Sequence, residues 1–302
     1  MIRSIIIRSS MSMLFGGKLK SNLGDLLRST ILLECIGDDF IWLTDTRGKG
    51  LLDKFIIPEK IFIIEDGLAD LSFHHSLEIY NLDNYIADID LFRTLKGSWH
   101  GYLWDGRNEV IPENDLIKAI QPYSTGKELN CSWQEAFVKG LGFEWCCQDY
   151  ATLLCLTPET VDVGLNWNVH LEWTSKQWLR SSWEELYNTL IKKGITVSWQ
   201  VGLNDFNKYV NWISSCSIIV TCDTLGLHLA SALRKQVIAI VGATENFEYS
   251  YRRISFIKPT PRDCMPCNKP VCDKVVKCIN EIDVSVILER VDKYLFQDLI
   301  MR

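Results

Sequence analysis

SIIVTCDTLGLHLASALRKQVIAIVGAT, residues 217–244, is the stretch that decides the fold. SIIVTC is a short β-branched, apolar run without polar alternation, the pattern of a strand buried on both faces. After Asp223-Thr224 comes a helical stretch opening at Gly226, and then a second continuous apolar run, QVIAIVG. Strand, helix and strand in so few residues form a right-handed crossover unit of a parallel sheet. Asp223 and Thr224 sit at a strand end, beside the unpaired N–H groups of a helix start. That position suits a sugar hydroxyl or a diphosphate. His228 falls in the first turn of the same helix. The same residues also admit a plainer reading, in which Asp223 or Thr224 is an N-cap and His228 a core residue.

The pattern extends in both directions. Upstream are TVDVGLNW (160–167), an amphipathic helix over 178–194 that ends at Gly194, ITVSWQ, and a helix over DFNKYVNWISSC; downstream, VSVILERVDKYLFQDL reads as one amphipathic helix. The N-terminal half has its own alternation. SIIIRS (4–9) is followed by a helical stretch over 23–35, the strand-like runs FIWLTD (40–45), KIFIIE (60–65) and HSLEIYNLD (75–83), and a Gly-closed helix over 132–143. Residues 96–130, rich in aromatics, Gly and Pro, read as irregular structure with a short helix. The expectation is an α/β protein of two Rossmann-like domains, 1–150 and 151–302, with ligands at strand C-terminal ends and in the cleft between the domains.

Composition narrows the function classes. The 302 residues are 47% hydrophobic and 23% charged, with a net charge of −6. These are globular values, and the acidic balance disfavours a protein that lives on phosphate backbones. No apolar run approaches the ~18 residues of a membrane span. Arg8 interrupts the apolar N-terminus and no small-residue cleavage site follows, so no signal peptide is read there and the expected location is cytoplasmic. GGKLKS (16–21) lacks the spacing of a phosphate loop. No dinucleotide fingerprint follows a strand, no Ser-His-Asp set is legible, and the five histidines show no zinc-protease spacing.

Eleven cysteines divide unevenly. Cys35, Cys131, Cys146, Cys147, Cys155, Cys216 and Cys222 are scattered and read as small buried hydrophobes. Cys264, Cys267, Cys272 and Cys278 crowd into one short segment, a spacing compatible with a tetrahedral thiolate site for zinc or iron and equally with reduced thiols. Tryptophans 173, 178 and 183 cluster around Lys176; Trp173 and Trp178 are candidates for stacking on a sugar or base.

DTLGLHLASALRK followed by VIAIVGAT resembles the donor motif of glycosyltransferase family 9, the family of the lipopolysaccharide heptosyltransferases, with Ala243 where the family usually has Pro. SNLGDLLRSTILL (21–33) is similar to its N-terminal Gly-Asp motif and IWLTD (41–45) to its second strand. VGLNWNVHLEWTSKQW (163–178) is similar to its donor-domain strand and Lys-containing loop, and DCMPCNKPVCDKVVKC (263–278) to the Cys-rich segment of many members. The resemblance implies a GT-B fold whose parallel sheets face across a cleft, with the acceptor on the N-terminal domain and a nucleotide sugar on the C-terminal one. It implies an inverting transfer of a sugar, a heptose among the candidates, without a metal at the reacting centre. The implied roles are Asp25 as general base and Lys176, Asp223, Thr224, Gly226, His228 and Thr244 as donor-binding residues. Structural iron or zinc on Cys264, Cys267, Cys272 and Cys278 is also implied. The implied acceptor is a glycan, a lipid-linked sugar or a protein, with no nucleic acid and at most peripheral membrane contact.

One departure from the family pattern is the stretch MSMLFGGKLKSN (11–22) between the first strand and Leu-Gly-Asp. Lys18 and Lys20 in it are candidates for an anionic acceptor, and the stretch could also act as a lid. Two other readings remain open on the residues. One is a catalytically silent relative that serves as a nucleotide- or sugar-binding module or a metal-stabilised scaffold. The other is a different nucleotide-sugar enzyme of the same architecture, such as an epimerase.

Overall fold

The computed structural model describes residues 2–14, 18–67, 77–85, 89–107, 109–120, 131–151, 157–244 and 253–301, without the side chains of 12–14, 18–21 and 297–301. The chain divides into two compact units, Met1–Leu154 and Cys155–Arg302. Each is an α/β unit built on its own sheet.

The first unit contains strands β1 (Ser4–Ile7), β2 (Met11–Leu14), β3 (Lys18–Ser21), β4 (Phe40–Thr44), β5 (Ile61–Ile63), β6 (Leu77–Asn81), β7 (Gly97–Trp104) and β8 (Val110–Pro112). Six of them form a sheet in the order β5-β4-β1-β6-β7-β8. Every pairing is parallel except that of β7 with β8. Its helices are α1 (Leu23–Arg28), α2 (Leu33–Ile36), α3 (Thr46–Leu52), α4 (Ile89–Thr94), α5 (Asp115–Ala119) and α6 (Trp133–Gly140). β1 and β4 are buried along their whole length, which is why they read as unbroken apolar runs.

Two segments differ from the sequence expectation. Residues 97–104, expected to be irregular, form the longest strand of this sheet. The run GSWHGYLW hides its strand character because two glycines interrupt it, and packing requires both. A Cβ on Gly97 would lie 2.2 Å from the carbonyl oxygen of Leu77. One on Gly101, at φ +88°, would lie 2.5 Å from that of Asn81. Within the stretch 11–22, expected as an insertion or lid, residues 11–14 and 18–21 form an antiparallel pair, β2 with β3, in which Met11 faces Ser21.

The second unit contains β9 (Val161–Asn166), β10 (Val197–Trp199), β11 (Cys216–Cys222), β12 (Gln236–Ile240) and β13 (Ile254–Ile257), all parallel, in the order β10-β9-β11-β12-β13. Its helices are α7 (Arg180–Lys192), α8 (Phe206–Ser215), α9 (Leu225–Ala232) and α10 (Val284–Met301). The core joins Val163 and Leu165 of β9 with Ile218 and Val220 of β11, Ile238 and Ile240 of β12, Leu186 of α7 and Ile287 of α10. α9 is apolar nearly all round and correspondingly buried.

In both sheets the chain order reverses beside the first strand of the unit. β4 lies on one side of β1 and β6 on the other; β10 and β11 flank β9 in the same way. Parallel α/β sheets bind ligands outside the carboxyl ends of the strands at such reversals. No described helix is long and apolar enough to cross a membrane.

Candidate functional site

The reversal in the second unit brings together the ends of β9 and β11. Asp223, directly after β11, is buried, and its Oδ2 receives both the ammonium of Lys176 and the hydroxyl of Thr244, the latter at 3.0 Å. Lys176 ends a short 3-10 turn, Thr174–Lys176, and its Nζ lies 4.4 Å from the centre of the Trp173 ring. A buried carboxylate is costly unless it is paired and hydrogen-bonded, and this one is both. Three of the residues expected at the donor site, Lys176, Asp223 and Thr244, therefore meet at one carboxylate oxygen.

Thr224 is the N-cap of α9: its hydroxyl accepts from the N–H of Gly226 at 3.2 Å. Beneath it, the amide of Asn166, the last residue of β9, donates to Thr221 Oγ1 at 2.7 Å and to Thr224 Oγ1 at 3.0 Å. The carbonyl oxygen of the same amide accepts from Tyr209 OH at 2.7 Å. Burial pushes the Tyr209 phenol up, which keeps it a donor. Gly226 fits here for want of a side chain, since a Cβ would stand 2.2 Å from Asn166 Nδ2 and 2.4 Å from Tyr209 OH. His228 is buried within α9. Asn166 and Tyr209 escape the motif reading. The available signal was a polar residue closing the apolar run of β9, at the same reversal as Asp223.

The first unit places charge at its own reversal, between β1 and β6. Arg8 and Asp25 are buried there with Asp83. Arg8 donates from Nη1 to the carbonyl of Leu82 at 2.7 Å and to Asp83 Oδ1 at 3.3 Å, and its Nη2 lies 3.9 Å from Asp25 Oδ2. Arg28 donates from Nη2 to Asp25 Oδ1 at 2.6 Å and lays its guanidinium 3.8 Å from the centre of the Trp133 ring. Asn22 caps α1 by accepting from the N–H of Asp25 at 3.1 Å and donates to Asp25 Oδ2. The helix is thus capped by Asn22, and the Asp25 carboxylate turns to the two arginines. Arg8, Arg28, Asn81, Tyr102, Trp133 and Asp25 line a cavity of about 30 Å³. That is room for a water molecule or two. Arg8 was legible only as a charged residue directly after a buried strand, and Asp83 as one two residues beyond the end of another.

Asp83 is fully enclosed. Burial raises its carboxyl to about 6, against the opposing pull of Arg8 and of the two hydrogen bonds that it accepts from the Ser9 N–H at 3.0 and 3.1 Å.

Other expected residues fall elsewhere. Lys18 and Lys20 lie on β3, and their side chains are outside the described residues. Trp178 is a core residue: it is buried, packs edge-on against Trp183 at 5.1 Å and donates to the Ile282 carbonyl at 3.2 Å, so of the two stacking candidates only Trp173 is at the site. The scattered cysteines are not uniformly buried; Cys216 and Cys222 are, but Cys146 and Cys147 are exposed. Cys155 lies outside the described residues.

In the four-cysteine segment Cys264 is exposed and Cys278 buried, with Cys267 and Cys272 between those extremes. Burial raises the Cys278 thiol, and Cys267 and Cys272 lie near enough for their charge to add to that rise. Four thiols are a donor set suited to zinc or iron. As the side chains stand, however, no group of three His, Cys, Asp or Glu among the described residues is arranged to hold a metal ion. The close spacing in sequence does not by itself turn an exposed Cys264 toward a buried Cys278.

No family model and no curated protein matches the chain. Solved structures do. A family 9 glycosyltransferase from Veillonella parvula aligns with a TM-score of 0.67 at 11% identity, covering 98% of each chain. The E. coli heptosyltransferase WaaC with ADP aligns with a TM-score of 0.61 at 13% identity, covering 97% of this chain and 99% of that one. The dodecameric iron-containing heptosyltransferase TibC with ADP-D-beta-D-heptose, from enterotoxigenic E. coli, gives 0.59 at 12% identity over 97% of this chain and 77% of its own. At these identities the likeness shows the fold: two α/β units of the kind found in GT-B glycosyltransferases.

The enclosure of Asp83 predicts a pH signature. Its folded value of about 6 exceeds the ~4 of an unfolded carboxyl, so the folded chain binds the extra proton and gains stability from this group as pH falls through that window. Melting temperatures of wild type and Asp83→Asn, compared from pH 7 to pH 5, should shift in favour of wild type as pH falls. A difference that stays flat or moves the other way would contradict the assignment.

Proposed function

We propose that this chain is an inverting glycosyltransferase of the family 9 kind, moving a sugar, with heptose the leading candidate, from a nucleotide-sugar donor on the second unit to an acceptor on the first. The observation that carries the reading is the meeting of Lys176, Asp223 and Thr244 at the N-terminus of α9, at a sheet reversal. ADP and ADP-D-beta-D-heptose, bound in structures of the same fold, support a nucleoside diphosphate there.

In this reading the acceptor hydroxyl attacks the anomeric carbon from the face opposite the diphosphate. A bond forms between that oxygen and the anomeric carbon, and the bond from that carbon to the diphosphate oxygen breaks. The hydroxyl proton passes to the Asp25 carboxylate, and the bonding electrons leave with the nucleoside diphosphate. Both Asp25 oxygens already accept hydrogen bonds, Oδ1 from Arg28 and Oδ2 from Asn22, so the acceptor hydroxyl must displace or share one of them. Lys176 meets the diphosphate charge by exchanging Asp223 for phosphate oxygens, which leaves Asp223 for sugar or ribose hydroxyls. Thr224, Gly226 and His228 shape the helix start beside them. The acceptor, a glycan, a lipid-linked sugar or a protein, docks on the first unit, with Lys18 and Lys20 contributing charge if it is anionic. We place the chain in the cytoplasm, where thiols stay reduced.

The reading extends to a structural metal, iron or zinc, on Cys264, Cys267, Cys272 and Cys278. The thiolate chemistry of the set and the iron of TibC, a structure of the same fold, support it. Such a metal would cross-link the segment; every chemical task above belongs to side chains.

Kinetics, ligand affinity, metal content and melting temperature check these assignments. With a nucleotide sugar that binds, Asp25→Asn should lower kcat by ~10²–10⁴ with donor affinity nearly unchanged. Lys176→Ala should weaken both the donor and the free nucleoside diphosphate. Wild-type kcat in Asp25→Asn would remove the base assignment. Elemental analysis of protein purified without chelator or affinity metal should find close to one iron or zinc per chain. Cys264→Ser should lose that metal and melt at a lower temperature. Less than ~0.2 atoms per chain would remove the metal from the reading.

A further inference from the structure

The turn that carries Lys176 has two backbone bonds of its own, from the Lys176 N–H to the Trp173 carbonyl at 3.0 Å and from the Gln177 N–H to the Thr174 carbonyl at 3.3 Å, and is otherwise held from outside. A single 3-10 turn, Thr174–Lys176, has no side-chain cap, and three hydrogen bonds from outside fix it. The Ser175 N–H donates to the Pro270 carbonyl at 3.0 Å, and its hydroxyl donates to the Lys269 carbonyl at 2.5 Å. Lys277 reaches across with its ammonium to the Thr174 carbonyl at 2.7 Å. Ser175 is buried although its neighbours in the turn are half-exposed, which is the profile of an anchor.

The same segment grips the other partner of Asp223. The Asn268 N–H donates to the Ala243 carbonyl at 2.9 Å, one residue before Thr244. Gly242 lies so close to the segment that a Cβ there would stand 3.1 Å from Cys278 Sγ and 3.3 Å from Ile279 Cβ. Residues 268–278 therefore hold both groups that converge on Asp223, Lys176 through its turn and Thr244 through the end of the strand region before it.

We infer that residues 268–278 are a clamp that sets the position of Lys176 relative to Thr244 and Asp223, with Ser175 and Lys277 as its positioning residues. Neither residue needs to touch a ligand. Lys277 acts through the Thr174 carbonyl and Ser175 through the backbone at 269–270, so that the lysine is presented at one height above the start of α9. The functional half of the inference rests on the reading of Lys176 as a ligand of the donor diphosphate; the structural half does not.

The test compares wild type with Ser175→Ala, Lys277→Met, Lys277→Arg and, as a control on the same segment, Lys274→Met. Hydrogen exchange is followed over residues 172–178, and ADP affinity is measured by calorimetry. Ser175→Ala and Lys277→Met should speed exchange over 174–177 by about tenfold, with β11 and α7 unchanged. Both should also raise the ADP Kd by about fivefold, the scale of one lost hydrogen bond. Lys277→Arg, which keeps a donor on a long stem, should restore both, and Lys274→Met should alter neither. Unchanged exchange over 174–177 would overturn the clamp, and so would faster exchange spread over the whole unit, because the residues would then be general stabilisers. Faster local exchange with unchanged ADP affinity, in a chain where Lys176→Ala abolishes ADP binding, would overturn the positioning role. If wild type binds no ADP, or Lys176→Ala leaves the affinity as it was, the donor reading fails, and the exchange alone then decides the clamp.

Discussion

A buried carboxylate without partners is among the most expensive things a fold can contain, and Asp223 sets the terms for everything around it. Its oxygen is held by an ammonium from one direction and a hydroxyl from another. Those partners come from separate parts of the second unit: Lys176 from the stretch after β9, and Thr244 from the stretch after β12. The Asp223 position fixes where both must end. The capped start of α9, the Asn166–Tyr209 network beneath it and the absence of a side chain at Gly226 follow from the same need to bring backbone close without leaving polar groups unpaired.

The first unit solves a parallel problem with more charge. Asp25 and Asp83 are both buried, and Arg8 reaches the two of them. Arg28 supplies a second guanidinium to Asp25 and is itself stacked on Trp133. Removing any one member would leave another charge exposed to a low-dielectric surrounding, so the cluster stands or falls together. It lies at the β1–β6 reversal, as Asp223 lies at the β9–β11 reversal. Strand order alone therefore selects the same place in each unit, before any side chain is considered.

The fold was legible where burial is two-sided. β1, β4, β11 and β12 are largely apolar runs because sheet neighbours and helices cover them. β7 was not legible, because glycines that let it lie against β6 carbonyls break its hydrophobic pattern. The pairing of β2 with β3 was missed because two four-residue strands are too short to carry a decisive pattern. In the second unit the strand end followed by a helix start pointed to Asp223 and Thr224, and the family resemblance to Lys176 and Thr244; the structure sets Lys176 and Thr244 on Asp223. Asn166, Tyr209, Arg8, Arg28 and Asp83 were out of reach of either signal. Their roles come from contacts between segments far apart in sequence, such as Arg8 with Asp83. The four cysteines were legible as a group from their spacing, while their unequal burial, from the exposed Cys264 to the buried Cys278, depends on packing that the spacing does not carry.

The central claim is that the second unit holds a nucleoside diphosphate at the Asp223–Lys176 pair. A thermal-shift titration of the full chain with ADP-, UDP- and GDP-sugars and their free diphosphates tests it most directly, because a ligand that binds the folded state raises its melting temperature by mass action. The account predicts a saturable rise for one nucleotide series, present for the free diphosphate and lost in Lys176→Ala. No shift with any of the three series, or an equal shift in Lys176→Ala, would contradict it.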